Sequence, residues 1–255
     1  MRRSTWIIVL LFIAVNATFP VSASPQIVNT LRGFEDGEKG WSGDLEGTVA
    51  VADGNTNYFQ FDLAAAVQHL GARNRWRLLG GLSRRTASGE EIAQNRLLHL
   101  RHNYRFRARL ASIAFIQGQY NPFKRIETRL LVGAGLRFDL TRREKWNAAV
   151  GGTVMYETEE LTGQTGQFNY DYRYSFFLTV FRDVSEGVSL DISGFYQPLV
   201  DDPVDARALA AASVRTDVIG ELYLVFAYRL EYDADPPAEV KRLDQNLRSG
   251  LGYDF

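Results

Sequence analysis

The residues of this 255-residue chain that are best suited to chemistry are its three histidines, His69, His99 and His102. His99 and His102 are three positions apart, so on an extended strand they point to opposite faces and cannot share a metal ion directly. The chain has no cysteine, which excludes thiol catalysis, thiolate zinc sites and covalent haem attachment. It also has no nucleophile-elbow, Walker, HExxH or EF-hand motif. We interpret the histidines as interfacial side chains and expect no enzyme, cofactor or metal site.

A second set of chemically interesting residues consists of charged side chains that all occupy odd-numbered positions. On extended strands such residues face one way, which in a closed sheet means the interior. Buried charges are costly unless they are paired or hydrated, so the fold must either join these residues in ion pairs or leave water beside them. The candidate lumen-facing charges are Arg75, Arg77, Arg101, Glu127, Arg129, Arg137, Asp139, Glu157, Asp171 and Arg173.

The elements that position these charges alternate polar and apolar residues with a period of two. Segment 58–70, for example, places Phe59 and Phe61 on one face and Gln60 and Asp62 on the other. This periodicity is typical of strands with one polar face, and it predicts an all-β chain. The predicted strands are 41–52, 58–70, 75–85, 94–106, 109–120, 126–140, 146–158, 169–182, 187–197, 205–215, 218–232 and 243–255.

The length and spacing of these strands favour a membrane barrel. Strands of soluble proteins have about 5 or 6 residues, whereas a strand that crosses a bilayer needs about 9 to 11. Gaps after even-numbered strands are short, as at Thr216–Asp217, and most gaps after odd-numbered strands are longer, as at Thr86–Ala93 and Glu159–Phe168. Outer-membrane barrels show this alternation of short periplasmic turns and longer outer loops.

The seven prolines all fall outside the predicted strands, as a hydrogen-bonded closed sheet requires. We find no useful segment with the 3.6-residue period of a helix, and only helices and closed barrels satisfy the backbone in hydrocarbon. The sequence therefore predicts a single antiparallel transmembrane β-barrel of about twelve strands, over residues 40–255.

The N-terminus has the features of an export signal. Arg2 and Arg3 precede the apolar run 6–15, and Val21-Ser22-Ala23 forms a small-residue cleavage site. Residues 1–23 are therefore predicted to be a cleaved signal peptide. The balance of 29 Lys and Arg against 30 Asp and Glu argues against a nucleic-acid partner.

Residues 24–39 form a polar lead-in with three interpretations: a periplasmic tail, an extra pairing segment, or a plug that places Glu35, Asp36 and Glu38 against arginines of the lumen. Outward aromatic residues near strand ends are predicted to anchor the barrel at the two membrane interfaces. These anchors are Trp76, Tyr104, Trp146, Tyr156, Tyr172, Tyr174, Tyr253 and Phe255.

Short segments at both ends of the mature chain resemble a known family. The segments 29–37 (NTLRGFEDG), 40–43 (GWSG), 54–57 (GNTN) and the ending 250–255 (GLGYDF) are similar to the YdiY-like domain-of-unknown-function family, whose members are called salt-induced outer membrane proteins. The resemblance covers residues 29–255 and implies a location and a fold, but no reaction. The terminal Phe255 also resembles the signal read by the outer-membrane barrel assembly machinery.

Two functional hypotheses follow for a barrel in the Gram-negative outer membrane. The first is a narrow passive channel for ions or small solutes, in which part of the lumen holds water. The second is a closed structural or interaction barrel, in which ion pairs such as Arg129–Glu157 fill the interior. The inward glycines and alanines of strands two, three, six and seven are compatible with both hypotheses, because small residues either leave free space in the lumen or permit tight curvature of the sheet.

A lipolytic enzyme is a remote third hypothesis, because outer-membrane phospholipases resemble this chain in having about twelve strands. Such an enzyme needs an outward serine beside an outward histidine. His102 is predicted to face outward, but pairing strands four and five through Arg107–Ala108 turns Ser112 inward. This register argues against lipolysis.

Overall fold

The computed structural model describes residues 39–53, 57–143 and 145–255. The predicted signal peptide 1–23 lies outside the described residues, and so does the lead-in 24–39 except for its last residue. The described chain contains twelve strands: β1 (Gly40–Ala52), β2 (Tyr58–Leu70), β3 (Asn74–Ala87), β4 (Glu90–Arg107), β5 (Leu110–Asn121), β6 (Ile126–Arg143), β7 (Trp146–Leu161), β8 (Phe168–Ser185), β9 (Val188–Pro198), β10 (Ala206–Ile219), β11 (Leu222–Asp233) and β12 (Leu243–Asp254).

The strands form one closed antiparallel barrel in which each strand pairs with the next and β12 returns to β1. The predicted all-β barrel of about twelve strands is therefore confirmed. The two faces of the strands are arranged in the opposite way to those of a soluble protein. The interior is rich in buried charges, and large apolar side chains such as Leu98, Leu136 and Phe176 are half exposed on the outer wall. An apolar band around a polar interior is typical of transmembrane barrels.

The two ends of the barrel differ in their connections. We call the end with the 71–73, 108–109, 144–145, 186–187 and 220–221 connections the short-turn end, and the opposite end the loop end. The predicted turn at Thr216–Asp217 is wrong, because β10 continues to Ile219 and Gly220 turns the chain with a φ of 55°. The predicted long loop Thr86–Ala93 is also wrong, because β3 and β4 continue to a tight turn at Ser88-Gly89.

Irregularities in pairing change the predicted face of some residues. The β4–β5 register shifts between Arg105 and Arg107, so Ser112 pairs with Tyr104 and Ala114 pairs with His102. Ser112 therefore faces outward, and its predicted inward orientation is wrong. A residue inserted in one strand reverses the parity of everything beyond it, which period-two reasoning does not detect.

One half of the barrel interior is packed with apolar side chains. Ile113, Phe177, Phe195 and Leu209, from β5, β8, β9 and β10, form a buried cluster. Glycines on the packed wall make room for these rings: a Cβ at Gly133 would lie 2.5 Å from two ring carbons of Phe115. On β6 and β7, Gly133 and Gly151 thus lie against aromatic rings and Gly135 lies against the backbone of β7, so these inward glycines leave no free cross-section.

The barrel closes at a short seam between β1 and β12. Gly43 and Phe255 exchange backbone hydrogen bonds of 2.9 and 3.0 Å, and the ladder continues from Asp44↔Asp254 to Gly47↔Leu251. On its other side β1 pairs with β2 from Gly40 to Ala52. The seam therefore joins only the short-turn end of the two strands.

Gly252 supports this seam by accommodating an aromatic ring. Its cross-strand partner Tyr223 is 2% exposed, and a Cβ at Gly252 would lie 2.5 Å from the Tyr223 hydroxyl, with two ring carbons nearer still. We expect Gly252→Val to lower the free energy of unfolding by about 1–3 kcal/mol, the usual cost of overpacking. Urea unfolding of the refolded protein, followed by its mobility on unheated detergent gels, measures the change.

Gly47→Val is the matched control, because nothing lies within 4 Å of a Cβ at Gly47 in the same seam. Equal destabilisation by the two substitutions would show that the Tyr223–Gly252 contact is not the reason.

Candidate functional site

Most of the predicted lumen charges are buried inside the barrel. The buried members are Arg75, Arg77, Arg101, Arg129, Arg137, Asp139, Glu157 and Arg173. Asp171 is half-buried, opposite Glu157 in the β7–β8 register. Glu127 differs from its prediction: the β6–β7 register shifts between Ile126 and Thr128, and Glu127 is exposed. Thr162 donates a long hydrogen bond of 3.5 Å to the Glu127 carboxylate.

The centre of the charged interior near the loop end is Glu157, which is 1% exposed. Its Oε2 accepts from Arg129 Nη2 at 2.8 Å, and its Oε1 accepts from Arg207 Nη1 at 2.7 Å. Arg173 Nε is 3.8 Å from Oε2. One buried carboxylate thus faces three guanidinium groups, from β6, β8 and β10.

Further carboxylates surround these arginines and balance their charge. Arg207 Nε is 3.3 Å from Asp233, and Arg129 Nε is 3.4 Å from Glu159. Arg173 forms a bidentate contact with Asp205, with distances of 2.9 and 3.2 Å. We call this set the Glu157 network; its members are Arg129, Glu157, Glu159, Arg173, Asp205, Arg207 and Asp233.

The sequence reasoning missed several members of this region. Arg207, Glu231 and Asp233 are buried on β10 and β11, and the same period-two spacing that predicts the other lumen charges is the signal that predicts their inward face. The predicted loop Glu159–Phe168 is wrong at its start, because β7 continues to Leu161. Lys124 lies in a short 3-10 turn, Pro122–Lys124, where strand parity gives no information.

Lys124 forms a second bridge at the loop end. It is 3% exposed, and its Nζ lies 2.9 Å from Glu231 on β11 and 2.6 Å from Asp244 on β12. The turn between β5 and β6 is opposite β11 and β12 in the closed order of twelve strands. The Lys124 bridge therefore spans the mouth of the barrel.

A group of arginines lies deeper, toward the short-turn end. Arg77 and Arg101 pair directly across β3 and β4, and both are 4% exposed. Arg75 is their neighbour on β3, and Arg137 Nε donates to Asp139 at 2.7 Å. Positive charge is thus concentrated on β3, β4 and β6 in the lower part of the lumen.

A cavity of about 270 Å³ lies mainly along the wall formed by β1–β4 and β10–β12, and Phe181 of β8 and Ser189 and Asp191 of β9 also line it. Its lining carries both signs of charge, including Glu46, Asp62, Arg77, Arg85 and Arg248. Inward Ala64, Ala66 and Gly81 also line it, so the small residues of β2 and β3 do provide free cross-section. Because one water needs only about 10–15 Å³ of such space, the cavity has room for many waters.

The histidines occupy two different environments. His99 is buried, with Nδ1 2.8 Å from Gln117 Oε1 and its ring stacked on Phe115 at 5.4 Å. It therefore lies inside the barrel, on the lumen face that its position along β4 predicts, and not at a membrane interface. His69 and His102 lie near the short-turn end, where their rings are 4.9 Å from Trp41 and 4.3 Å from Trp76.

The predicted aromatic anchors lie mostly on the outer wall. Tyr156 is half-buried, and its ring is 5.2 Å from that of Tyr172. The exposed members are Trp76, Tyr104, Trp146, Tyr172, Tyr174, Tyr253 and Phe255. Within the described ranges, no cluster of three or more His, Asp or Glu is arranged to hold a metal ion. The chemistry of the interior is thus that of ion pairs beside a polar cavity.

Comparison with solved structures identifies the fold. The chain is similar to the NanC porin, with 9% identity and a TM-score of 0.51 over 83% of this chain and 98% of that chain. It is also similar to the COG4313 outer membrane channel from Pseudomonas putida F1, with 15% identity and a TM-score of 0.54 over 89% and 99%. The translocator domain of the autotransporter NalP from Neisseria meningitidis matches with 12% identity and a TM-score of 0.50 over 88% and 91%. At these identities the matches show a shared outer-membrane barrel fold.

Comparison with protein families identifies the family of the chain. No curated protein matches it. The DUF481 family, described as a protein of unknown function, matches residues 47–255. This match covers most of the barrel and confirms the resemblance to the YdiY-like family. The chain belongs to the DUF481 family.

Proposed function

We propose that this protein is an outer-membrane channel that passes ions and small polar solutes through a narrow water path. The observation that carries the proposal is the polar cavity of about 270 Å³ along β1–β4 and β10–β12. A barrel of eight strands is filled by its side chains, whereas 16 to 18 strands leave a channel. Twelve strands with one packed wall leave space on the other wall only.

The location and partners belong to the same proposal. The signal peptide 1–23 is removed on export, the outward aromatics anchor the barrel at the interfaces, and the terminal strand with Phe255 is read by the barrel assembly machinery. The short-turn end faces the periplasm and the loop end faces outside, as in barrels of this kind. For the lead-in 24–39, the plug is the one of its three interpretations that the proposed channel puts to the test.

A specific observation also favours the closed structural barrel. The Lys124 bridge and the Arg207–Glu157 pair, at 2.7 Å, both cross the lumen near the loop end. In that alternative the bridges are permanent, and the cavity is an internal pocket without an exit.

Lipolysis remains disfavoured, although the register changes the reason. Ser112 is outward, but its hydroxyl is 3.4 Å from the Tyr104 carbonyl, while His102 Nε2 is 3.0 Å from Asn74 Oδ1. Serine and histidine are thus engaged with different partners, and we propose no enzymatic activity.

Conductance in a planar bilayer tests the channel. We expect the refolded protein to give discrete current steps that grow with salt concentration, with weak ion selectivity because the cavity carries both signs of charge. Larger steps after removal of residues 24–39 would support the plug. Silence from protein that is folded by its gel mobility would reject the channel in favour of the closed barrel.

A further inference from the structure

The seam between β1 and β12 leaves part of each strand edge unpaired. Extending the register beyond Gly47↔Leu251 would place Thr48 opposite Gly250 and Val51 opposite Leu247, yet the described ladder ends at Gly47. Toward the loop end, β1 from 48 to 52 and β12 from 243 to 250 therefore face each other without a ladder. Two side-chain contacts join the strands here in the described structure: Thr48 Oγ1 donates to the Ser249 carbonyl at 3.2 Å, and Arg248 Nη2 donates to Glu46 Oε2 at 3.2 Å.

An open edge in a membrane barrel calls for an explanation. Hydrocarbon provides no hydrogen-bond partners, so a transmembrane sheet normally pairs every backbone group. The opposite edges follow this rule, because β1 pairs with β2 to Ala52 and β12 pairs with β11 to Leu243. An occupant of the opening must therefore tolerate lipid and also offer polar groups to the two edges.

The side chains around the opening differ between its two sides. Outside, Val49, Val51 and Leu247 are 65%, 71% and 68% exposed on the apolar wall. Inside, Asn246 and Arg248 line the polar cavity. The opening thus joins an apolar exterior to a polar interior. An amphiphile, which has one apolar part and one polar part, matches these two sides.

The loop end offers the cavity a less direct exit. Lys124 holds Glu231 and Asp244, and these two carboxylates line the cavity near its upper limit. The seam is paired below Gly47 and unpaired above it, so the opening lies beside the cavity and beneath the Lys124 bridge. A route through the seam would therefore leave the Lys124 ion pairs intact.

We propose that the β1–β12 opening is a lateral site for single-chain amphiphiles of the lysolipid type. The hydrocarbon chain lies against Val49, Val51 and Leu247, and the polar head enters the cavity beside Asn246 and Arg248. Hydroxyl and phosphate oxygens of the head take hydrogen bonds from the free strand edges. The inference goes beyond the ion channel and does not require conduction.

A reversible lock on the seam tests this route. The chain has no cysteine, so Val51→Cys with Leu247→Cys introduces a unique pair at opposed positions. The variant is placed in phosphatidylcholine vesicles. We then follow the transfer of fluorescent lysophosphatidylcholine from the interior of the barrel to the surrounding bilayer. We expect oxidation to slow transfer at least about tenfold, because a disulfide holds the two Cβ atoms within about 4.5 Å, and reduction to restore it.

The matched control is Phe138→Cys with Val150→Cys, a directly paired position between β6 and β7. Its oxidation links two strands that are already joined and should not change transfer. Equal transfer by the oxidised and reduced seam variants would overturn the proposal. Conductance of the same samples is recorded separately: its absence would reject the channel and leave the seam result standing.

A second measurement does not depend on disulfide formation. A bimane label at Val51→Cys is exposed to brominated lysophosphatidylcholine in unbrominated vesicles, with Phe138→Cys, on the outer wall of β6, as the comparison. We expect quenching at the seam to saturate at a lower mole fraction than at Phe138. Equal quenching curves, or spontaneous dimers cross-linked through Val51→Cys, would overturn the proposal, the latter by showing a second copy at the edge.

Discussion

Glu157→Gln is expected to lower the free energy of unfolding by about 3–5 kcal/mol, the usual cost of breaking a buried ion pair from one side. The substitution keeps the size of the side chain but removes the negative charge that Arg129 and Arg207 contact at 2.8 and 2.7 Å. Arg173 loses its neighbour at 3.8 Å as well. The three guanidinium groups would keep Glu159, Asp205 and Asp233, but each would lose its contact with the carboxylate at the centre of the network, in an interior that water hydrates poorly.

Glu91→Gln provides the matched control for this loss. Glu91 pairs with Arg84 at 3.0 Å, a comparable distance, but the two side chains are 33% and 61% exposed. Exposed pairs contribute about 0–1 kcal/mol, so the control should be nearly silent. Urea unfolding of both variants in the same vesicles compares their free energies of unfolding. Equal destabilisation would show that burial is not the reason for the contribution of the Glu157 network to stability.

Lys124→Met should raise the single-channel conductance and make it more cation-selective. The substitution keeps most of the aliphatic length but releases Glu231 and Asp244 from contacts of 2.9 and 2.6 Å. The bridge across the mouth is then lost: Asp244 loses the Lys124 charge, and Glu231 keeps its longer contact with Arg229 at 3.6 Å. Negative charge focused in a narrow mouth concentrates cations. Current steps and reversal potentials in a salt gradient measure both effects.

Lys241→Met separates the bridge from the charge. Lys241 is exposed in the β11–β12 connection, close to the same mouth. It removes one positive charge there without breaking the Lys124 contacts, so conductance should stay near that of the wild type. An equal rise in both variants would assign the effect to surface charge. If neither variant conducts, the permanent closed barrel is the better description.

Much of the barrel was predictable because period two is a local property. A face is set by position along a strand, so the orientation of Arg101, Arg129 and Glu157 follows from spacing alone. The same rule holds only until a register shift occurs. The shifts after Arg105 and Ile126 reversed the expected faces of Ser112 and Glu127.

Strand ends were harder to predict, since polar residues do not stop a strand that extends beyond the bilayer. The β3–β4 hairpin continues through Arg84 and Glu91 to Ser88-Gly89. The Arg84 and Glu91 side chains are 61% and 33% exposed there, and an exposed polar side chain does not end a strand. The true turn signals were residues with positive φ, such as Gly89 at 80° and Gly220 at 55°.

The division of the lumen into a packed and an open wall was not predictable from the sequence. It depends on where the inward aromatics meet across the barrel: Phe177 and Phe195 pair directly on β8 and β9, while Ala64 and Gly81 pair on β2 and β3. Which small residue lies beneath which ring is decided by register and by curvature in three dimensions. For the same reason Lys124, in a turn, gave no sign that it reaches β11 and β12.

The short seam also has a consequence for the order of folding. Eleven of the twelve strand pairings join neighbours in the chain, whereas the seam brings together residues such as Thr48 and Ser249, which are 201 positions apart. Closing so large a loop costs about 2–3 kcal/mol more entropy than closing a hairpin. Local hairpins therefore form early, and the meeting of the two chain ends comes last. Because the seam has only a few ladder pairs, its formation gains little enthalpy in that final step. The folded barrel therefore opens and closes locally at the seam.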